Sequence, residues 1–239
     1  MKNKLLGIFK YAFLVFLLLF ELIPILQVYI NTFRTDSDVK TIPFGLPKKW
    51  VFNNIADTWR IGGYGLAFAN SLVISAVVIL MVLIIVGLGA YALSKLKFRG
   101  RGFFITYFFV AISLPSFLYI VPDYFIFNKL GLINTKFSLI IIYIAMQIPF
   151  NMLLLRTFLA GIPREVEEAA RIDGCNELST LVWITFPIAK TIFMTIGLLV
   201  FVHVWNEFLW ANTFIADESR KTVATRVVKF VGEHSSDMA

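Results

Sequence analysis

Charge is what this sequence has least of. Asp, Glu, Lys and Arg supply 15% of its 239 residues while 59% fall in the hydrophobic set. Soluble domains hold roughly a quarter charged and half apolar residues, so a water-soluble fold is left almost no room. Cysteine is nearly absent as well. Cys175 stands alone, which rules out an internal disulfide, and neither histidine pairs with it or with the other at metal-ligand spacing. Also missing is the Gly-x-x-x-x-Gly-Lys-Ser/Thr loop that cradles nucleotide phosphates, so the chain is not itself an ATPase and no catalytic residue is assigned. The net charge of +7, in a chain this apolar, points to lipid headgroups and not to nucleic acid.

What is present is long uncharged segments. Crossing a bilayer takes about 20 apolar residues in a helix, because lipid offers the backbone no hydrogen-bond partner. Ile61 to Ser94, Gly102 to Pro122 and Phe137 to Leu155 contain no Asp, Glu, Lys or Arg, and Thr191 to Asn206 has none before Glu207. Leu5 to Ile30 is interrupted only by Lys10 and Glu21. Its apolar run is too long for a signal peptide and no small-x-small cleavage site follows, so it reads as a retained first helix. Five spans are expected. Pro115, flanked by Ser113 and Ser116, should kink the third, with the hydroxyls serving a freed carbonyl. A loop is expected from Pro122 to Lys136, and another over Asn31 to Gly65. Lys95, Lys97, Arg99 and Arg101 crowd together with no acid among them and, with Lys2, Lys4 and Lys10, favour a cytoplasmic N-terminus.

The most polar interruption lies between residues 159 and 190. Pro163 suits a first helical position, Glu165, Glu167 and Glu168 suit the positive end of a helix dipole, and Gly174 suits a left-handed stop. A second short helix should start near Asn176 with Leu178, Leu181, Val182 and Thr185 on one side, and Pro187 should mark re-entry into the membrane. Residue spacing by itself is equally served by an interfacial linker.

Glu168-Ala169-Ala170, Asp173-Gly174 and the Ile184 to Pro187 stretch resemble the EAA loop of binding-protein-dependent ABC importer permeases. Asn70-Ser71, Ala90-Tyr91-Ala92-Leu93, Phe98, Gly100, Gly131-Leu132, Asn134-Thr135 and Trp205-Asn206-Glu207-Phe208-Leu209-Trp210 extend the resemblance toward the carbohydrate-uptake, maltose-type branch. Cys175 stands where that family usually has Ala, and Lys190 where a second Pro is common.

The resemblance implies an all-α membrane protein with the type I ABC importer permease bundle. On that resemblance five transmembrane helices are expected and the family's sixth would be missing, the sequence stopping at Met238-Ala239. Residues 1–65 would be the first helix and an extracytoplasmic loop. Residues 66–239 would be a truncated permease core carrying the cytoplasmic coupling loop 159–190. It implies a multi-pass plasma-membrane protein of bacterial type, partnered by a second permease subunit, two nucleotide-binding ATPase subunits that hold ATP and Mg, an extracytoplasmic sugar-binding protein, and membrane lipid. Glu168, Ala169, Ala170, Asp173, Gly174, Leu178 and Pro187 would engage the ATPase.

Polar residues inside spans are the candidates for the translocation path, since they are costly there. Tyr143, Gln147 and Asn151 form an i, i+4, i+8 stripe; His203 and Glu207 share a helical face with Asn206 beside them. Interhelical hydrogen bonding serves both stripes as well as pore lining does. Trp205 and Trp210 read as interfacial anchors. Two alternatives stand beside the importer: a proton-coupled secondary transporter using His203 and Glu207, and a truncated, non-transporting assembly protein.

Overall fold

In the computed structural model residues 2–228 are described, with side chains from residue 7 onward. The stop at Met238-Ala239, from which the absence of a sixth helix is expected, lies outside the described residues. Two compact units divide the chain, Met1–Gly63 and Tyr64–Ala239.

The first unit is built on helix α1, Lys2–Asn31, whose apolar side chains from Ile8 onward lie unburied, as lipid contact allows. The expected loop after it contains two short helices, α2 (Asp36–Thr41) and α3 (Asn53–Ile61). Thr35 caps α2, its hydroxyl accepting from the Asp38 N–H. Arg34 organises the segment. Buried, it donates to the side-chain oxygen of Asn31 at 2.9 Å and to the carbonyls of Asp38 at 2.8 Å and Ile42 at 2.6 Å. Asn54 donates to the carbonyls of Thr32 and Arg34, tying the start of α3 back to the same turn.

The second unit centres on two unbroken spans, α4 (Tyr64–Lys95) and α7 (Lys136–Ala160), which pack more extensively on each other than any other pair in the chain. Each presents a row of buried residues at every fourth position. On α4 these are Asn70, Ile74, Val78, Val82, Val86, Ala90 and Ser94; on α7, Leu139, Tyr143, Gln147, Asn151, Leu155 and Leu159. Such i+4 rows are ridges that interlock between crossing helices. Gly89 admits Met152 at this seam: a Cβ there would stand 2.5 Å from the Met152 methyl.

The other two spans are broken. The helix α5 (Arg101–Ser113) ends before Pro115, a 3₁₀ turn follows over Ser116–Tyr119, and α6 (Ile120–Lys129) leaves at 91°. The expected kink is therefore a break, and most of the expected loop from Pro122 is helix. Pro122 sits in the first turn of α6, where no N–H is needed, so a residue that reads as a terminator is a helix start. Ser113 donates to Phe109 in its own helix, and it is Tyr119 that reaches the Leu114 carbonyl.

The last span begins after helix α8 (Arg164–Ile172). A helical run from Glu177 to Ile188 comprises α9 (Glu177–Ser179), a π-helical segment (Thr180–Thr185) and α10 (Phe186–Ile188). It meets α11 (Lys190–Asn206) at 81°. The turn falls at Ala189, two residues beyond Pro187; the π winding ends at Thr185, and the proline lies at the start of α10, where a missing donor costs little. Counting each bent pair as one span gives five. A final short helix, α12 (Leu209–Phe214), follows α11.

Candidate functional site

The loop between α7 and α11 is a helix, an elbow and a second helix. Glu165 and Glu167 lie in the first turn of α8, and Asp173 is its C-cap. Gly174 follows at φ +86. Its N–H bonds the Arg171 carbonyl at 3.1 Å and the Cys175 N–H bonds the Ala170 carbonyl at 2.9 Å, the paired closure of a Schellman stop. Asn176 then caps α9, accepting from the N–H of Ser179 at 2.8 Å. The elbow stands where the sequence puts it.

The faces are sorted differently. Ala169 and Leu178 point outward, Leu178 at 60% exposure, together with Ile172 at 86%, Trp183 at 76% and the half-exposed Val182. Glu168 and Asp173 are also exposed. Ala170 is buried, so it packs inward and is not a free knob. Leu178 and Val182 form one i+4 pair facing out, while Leu181 and Thr185 form another facing in, so the four do not share a side. The π winding over Thr180–Thr185 departs from the α-helical spacing on which a shared face depends, and this separates the two pairs.

Four polar ties hold the loop, and none was read from the sequence. Lys95 meets Glu167 at 2.6 Å with side-chain exposures of 3% and 6%. Lys95 also donates to the Ile162 carbonyl at 2.7 Å. One turn earlier on α4, the buried Tyr91 hydroxyl donates to Glu177 at 2.8 Å. Glu177 in turn accepts from Arg171 at 2.8 and 3.2 Å, bridging the two arms across the elbow. Lys95, grouped by sequence with the basic cluster at the headgroups, is thus withdrawn from it; Lys97 and Arg99 remain exposed. The available signal was the i, i+4 spacing of Tyr91 and Lys95 at the end of an apolar helix.

The second candidate lies among the spans. Tyr143, Gln147 and Asn151 do form a buried stripe on α7. Asn151 donates to the carbonyl and side-chain oxygens of Gln147 at 2.8 and 3.2 Å, while its own side-chain oxygen is buried without a partner. Tyr143 donates to Glu207 at 2.5 Å. Glu207 itself is not on α11: the helix ends at Asn206 and Glu207 has extended backbone, φ −70 and ψ 123. Its carboxylate accepts from the N–H groups of Trp210 at 2.9 Å and Ala211 at 3.1 Å, capping α12. That capping breaks the helix and removes the shared face with His203, which is exposed, as is Asn206 on its own turn. A His203–Glu207 relay is therefore not assembled in this arrangement. Trp210 is buried against Phe214 and Tyr119, a core residue and not an interfacial anchor; Trp205 packs on Phe68 and Phe201.

The remaining sequence motifs prove to be hubs. Asn70 donates to the carbonyls of Ser219 and Lys221, and the Ser71 hydroxyl accepts from the Val223 N–H. Asn134, at φ 61, accepts on its side-chain oxygen from the N–H groups of Ala216 and Asp217, and Arg220 donates to its carbonyl. Both fasten the stretch after α12. There, the N–H and hydroxyl of Ser219 hold the Asp217 carboxyl below the usual carboxylate range.

Both candidate regions fall inside one family match, that of the binding-protein-dependent transport system inner membrane component, which spans residues 84–227. The chain belongs to this family. Among its relatives, this permease is 34% identical over 207 residues to the probable ABC transporter permease protein YurM of Bacillus subtilis, covering 87% of this chain and 69% of that one. It is 28% identical over 229 residues to the diacetylchitobiose uptake system permease protein NgcG of Streptomyces coelicolor, covering 96% and 76%. In structure the permease is similar to a chain of a bacterial ABC transporter involved in the import of the acidic polysaccharide alginate, with a TM-score of 0.84 and 25% identity over 99% of this chain and 87% of the other. It is a multi-pass protein of the inner membrane, an ABC importer permease.

Proposed function

We propose that the permease is one subunit of an ATP-driven sugar importer and that its loop between α7 and α11 is the cytoplasmic docking element for an ATPase subunit. The observation that carries this is the outward apolar surface of Ile172, Leu178, Val182 and Trp183 on a segment otherwise rich in charge. An apolar patch rimmed by polar residues is the signature of an interaction site. The rim here is Glu168 and Asp173. Sugar as cargo is supported by similarity to a diacetylchitobiose uptake permease and to a polysaccharide importer.

In this reading the complete transporter contains a second permease subunit, two ATPase subunits that bind ATP and Mg, and an extracytoplasmic sugar-binding protein. The permease holds no nucleotide. Closure of the ATPase pair moves the loop, and the spans exchange outward for inward access. In this reading the loop end of α4 and the N-terminus are both cytoplasmic, and the exposed basic residues Lys97 and Arg99 support that sidedness. Tyr143, Gln147 and Asn151 are polar groups along the path between spans, with the unpartnered Asn151 oxygen free to accept a hydroxyl.

Proteoliposomes holding the complete complex test this directly. Uptake should require ATP and the sugar-loaded binding protein, and it should vanish when either is withheld. Uptake driven by a pH gradient without ATP or partners refutes it.

A further inference from the structure

Two consecutive turns of α4 grip the two arms of the loop. Lys95 holds α8 through Glu167, Tyr91 holds α9 through Glu177, and Arg171 closes the third side by joining α8 to Glu177 across the Gly174 elbow. The three ties form a triangle, so the elbow cannot hinge without breaking one of them. The Lys95–Glu167 side is the stiffest. Both side chains are almost completely buried, and Lys95 is further fixed by the Ile162 carbonyl at the base of the loop. Solvent and salt screen such a pair little.

α4 is also well suited to carry a displacement. It is unbroken over Tyr64–Lys95, whereas the spans containing α5 and α11 are bent by 91° and 81°. Its buried i+4 row locks into α7 along the middle, and its far end holds the segment after α12 through Asn70 and Ser71.

Given the docking role proposed above, we infer that Tyr91 and Lys95 are positioning residues that make the loop and α4 a single lever, so that movement imposed at the docking surface reaches the α4–α7 core and the segment after α12. The loop does not flex to absorb the stroke; it is braced against doing so. α4, which is not adjacent to the loop in sequence, is the span that receives the force.

The test uses the complete reconstituted transporter and reads ATP hydrolysed per solute moved, a ratio that a purely structural role would leave alone. Tyr91→Phe removes one oxygen, and Lys95→Gln one charge. Tyr91→Phe should co-purify with the ATPase at normal stoichiometry, and Lys95→Gln, which keeps an amide donor against the buried Glu167, is read in the complexes that assemble. Their ratio should rise by about five-fold, the scale on which residues along a coupling network act. The exchange Lys95→Glu with Glu167→Lys should bring the ratio back toward normal. An unchanged ratio in assembled Tyr91→Phe and Lys95→Gln complexes overturns the lever, as does a proportionate fall in transport and hydrolysis. Loss of assembly in Tyr91→Phe would make the tie a folding element and overturn it too. Leu178→Asp, measured alongside, separates the two ideas: normal ATPase association and uptake in that variant sinks the docking surface itself, whatever the ratio shows.

Discussion

Glu207→Ala removes the acceptor for three donors at once: the Tyr143 hydroxyl at 2.5 Å and the N–H groups of Trp210 and Ala211 at 2.9 and 3.1 Å. A buried donor left unsatisfied costs about 1–3 kcal/mol in proteins generally. Interhelical side-chain hydrogen bonds in bilayers average about 0.6 kcal/mol and reach about 1.7, because the lipid-embedded unfolded state finds partners as well. The short Tyr143 contact belongs near the top of that range, so Tyr143→Phe should cost about 1–1.5 kcal/mol. Glu207→Ala loses that bond and strands two backbone donors in the first turn of α12, for about 3 kcal/mol in total. In the Tyr143→Phe background the same substitution should cost about 1 kcal/mol less, which is the coupling of the pair. Unfolding in bicelles, followed by steric trapping, resolves differences of this size. A second readout follows from geometry. With Ala at 207 nothing caps α12, and the break between α11 and α12 should anneal into continuous helix, visible as new amide protection at residues 207–210. Equal costs for Tyr143→Phe and Glu207→Ala, or an additive cycle, would refute the assignment of Glu207 as the cap that breaks the helix.

Gly174→Pro cannot adopt φ +86 and loses the N–H that bonds Arg171, so uptake should be abolished while membrane fractionation still finds the inserted chain; Glu168→Lys should do the same by reversing a charge on the docking rim. At Asn134, Gly keeps the left-handed backbone but loses the side-chain oxygen that accepts from Ala216 and Asp217, Ala loses that oxygen as well, and Asp keeps it. Thermal stability should therefore rank Asp above Gly above Ala, with the Gly-to-Ala step worth about 1 kcal/mol from backbone strain. Asp217 has its pKa lowered by Ser219, so its contribution is present at neutral pH and is lost as pH falls through that lowered value. Ser219→Ala should move the acid-induced loss of amide protection in residues 214–220 to higher pH, and an unmoved profile would show that Ser219 does not hold the carboxylate.

The spans were legible because a stretch without charge in so apolar a chain has one use, and the elbow at Gly174 because a left-handed stop has a local signature. What failed to read was set by contacts from elsewhere. α2 and α3 are too short to stand on propensity, and Arg34 and Asn54 hold them, although Thr35 followed by Asp36 and Asp38 was a helix-start signal in plain view. Pro122 is compatible with either end of a helix, and only its place in the first turn of α6 decides. The break at Glu207 had no Gly or Pro to announce it, since neither occurs between Gly197 and Gly232. A carboxylate reaching forward to two N–H groups made it, and a glutamate is not a residue from which a cap is read.

Glu167 and Glu168 show why the loop's helix and elbow could be read from the sequence but its inner and outer faces could not. Glu167 closes the first turn of α8 and Glu168 follows it, and no local rule tells two adjacent acids at a helix start apart. A helix turns about 100° per residue, so only one of the two can face inward. Which one does is decided by Lys95, at the end of a helix far upstream, whose amine is buried and needs a carboxylate. Removing one member of such a pair costs about 3–5 kcal/mol because the other charge is left buried and alone. Glu168 carries no such demand and is exposed. The division between two neighbouring carboxylates, one bound to the permease's own α4 and one exposed, is therefore a property of the fold, and on the docking role proposed above it gives the loop a side that holds and a side that engages a partner.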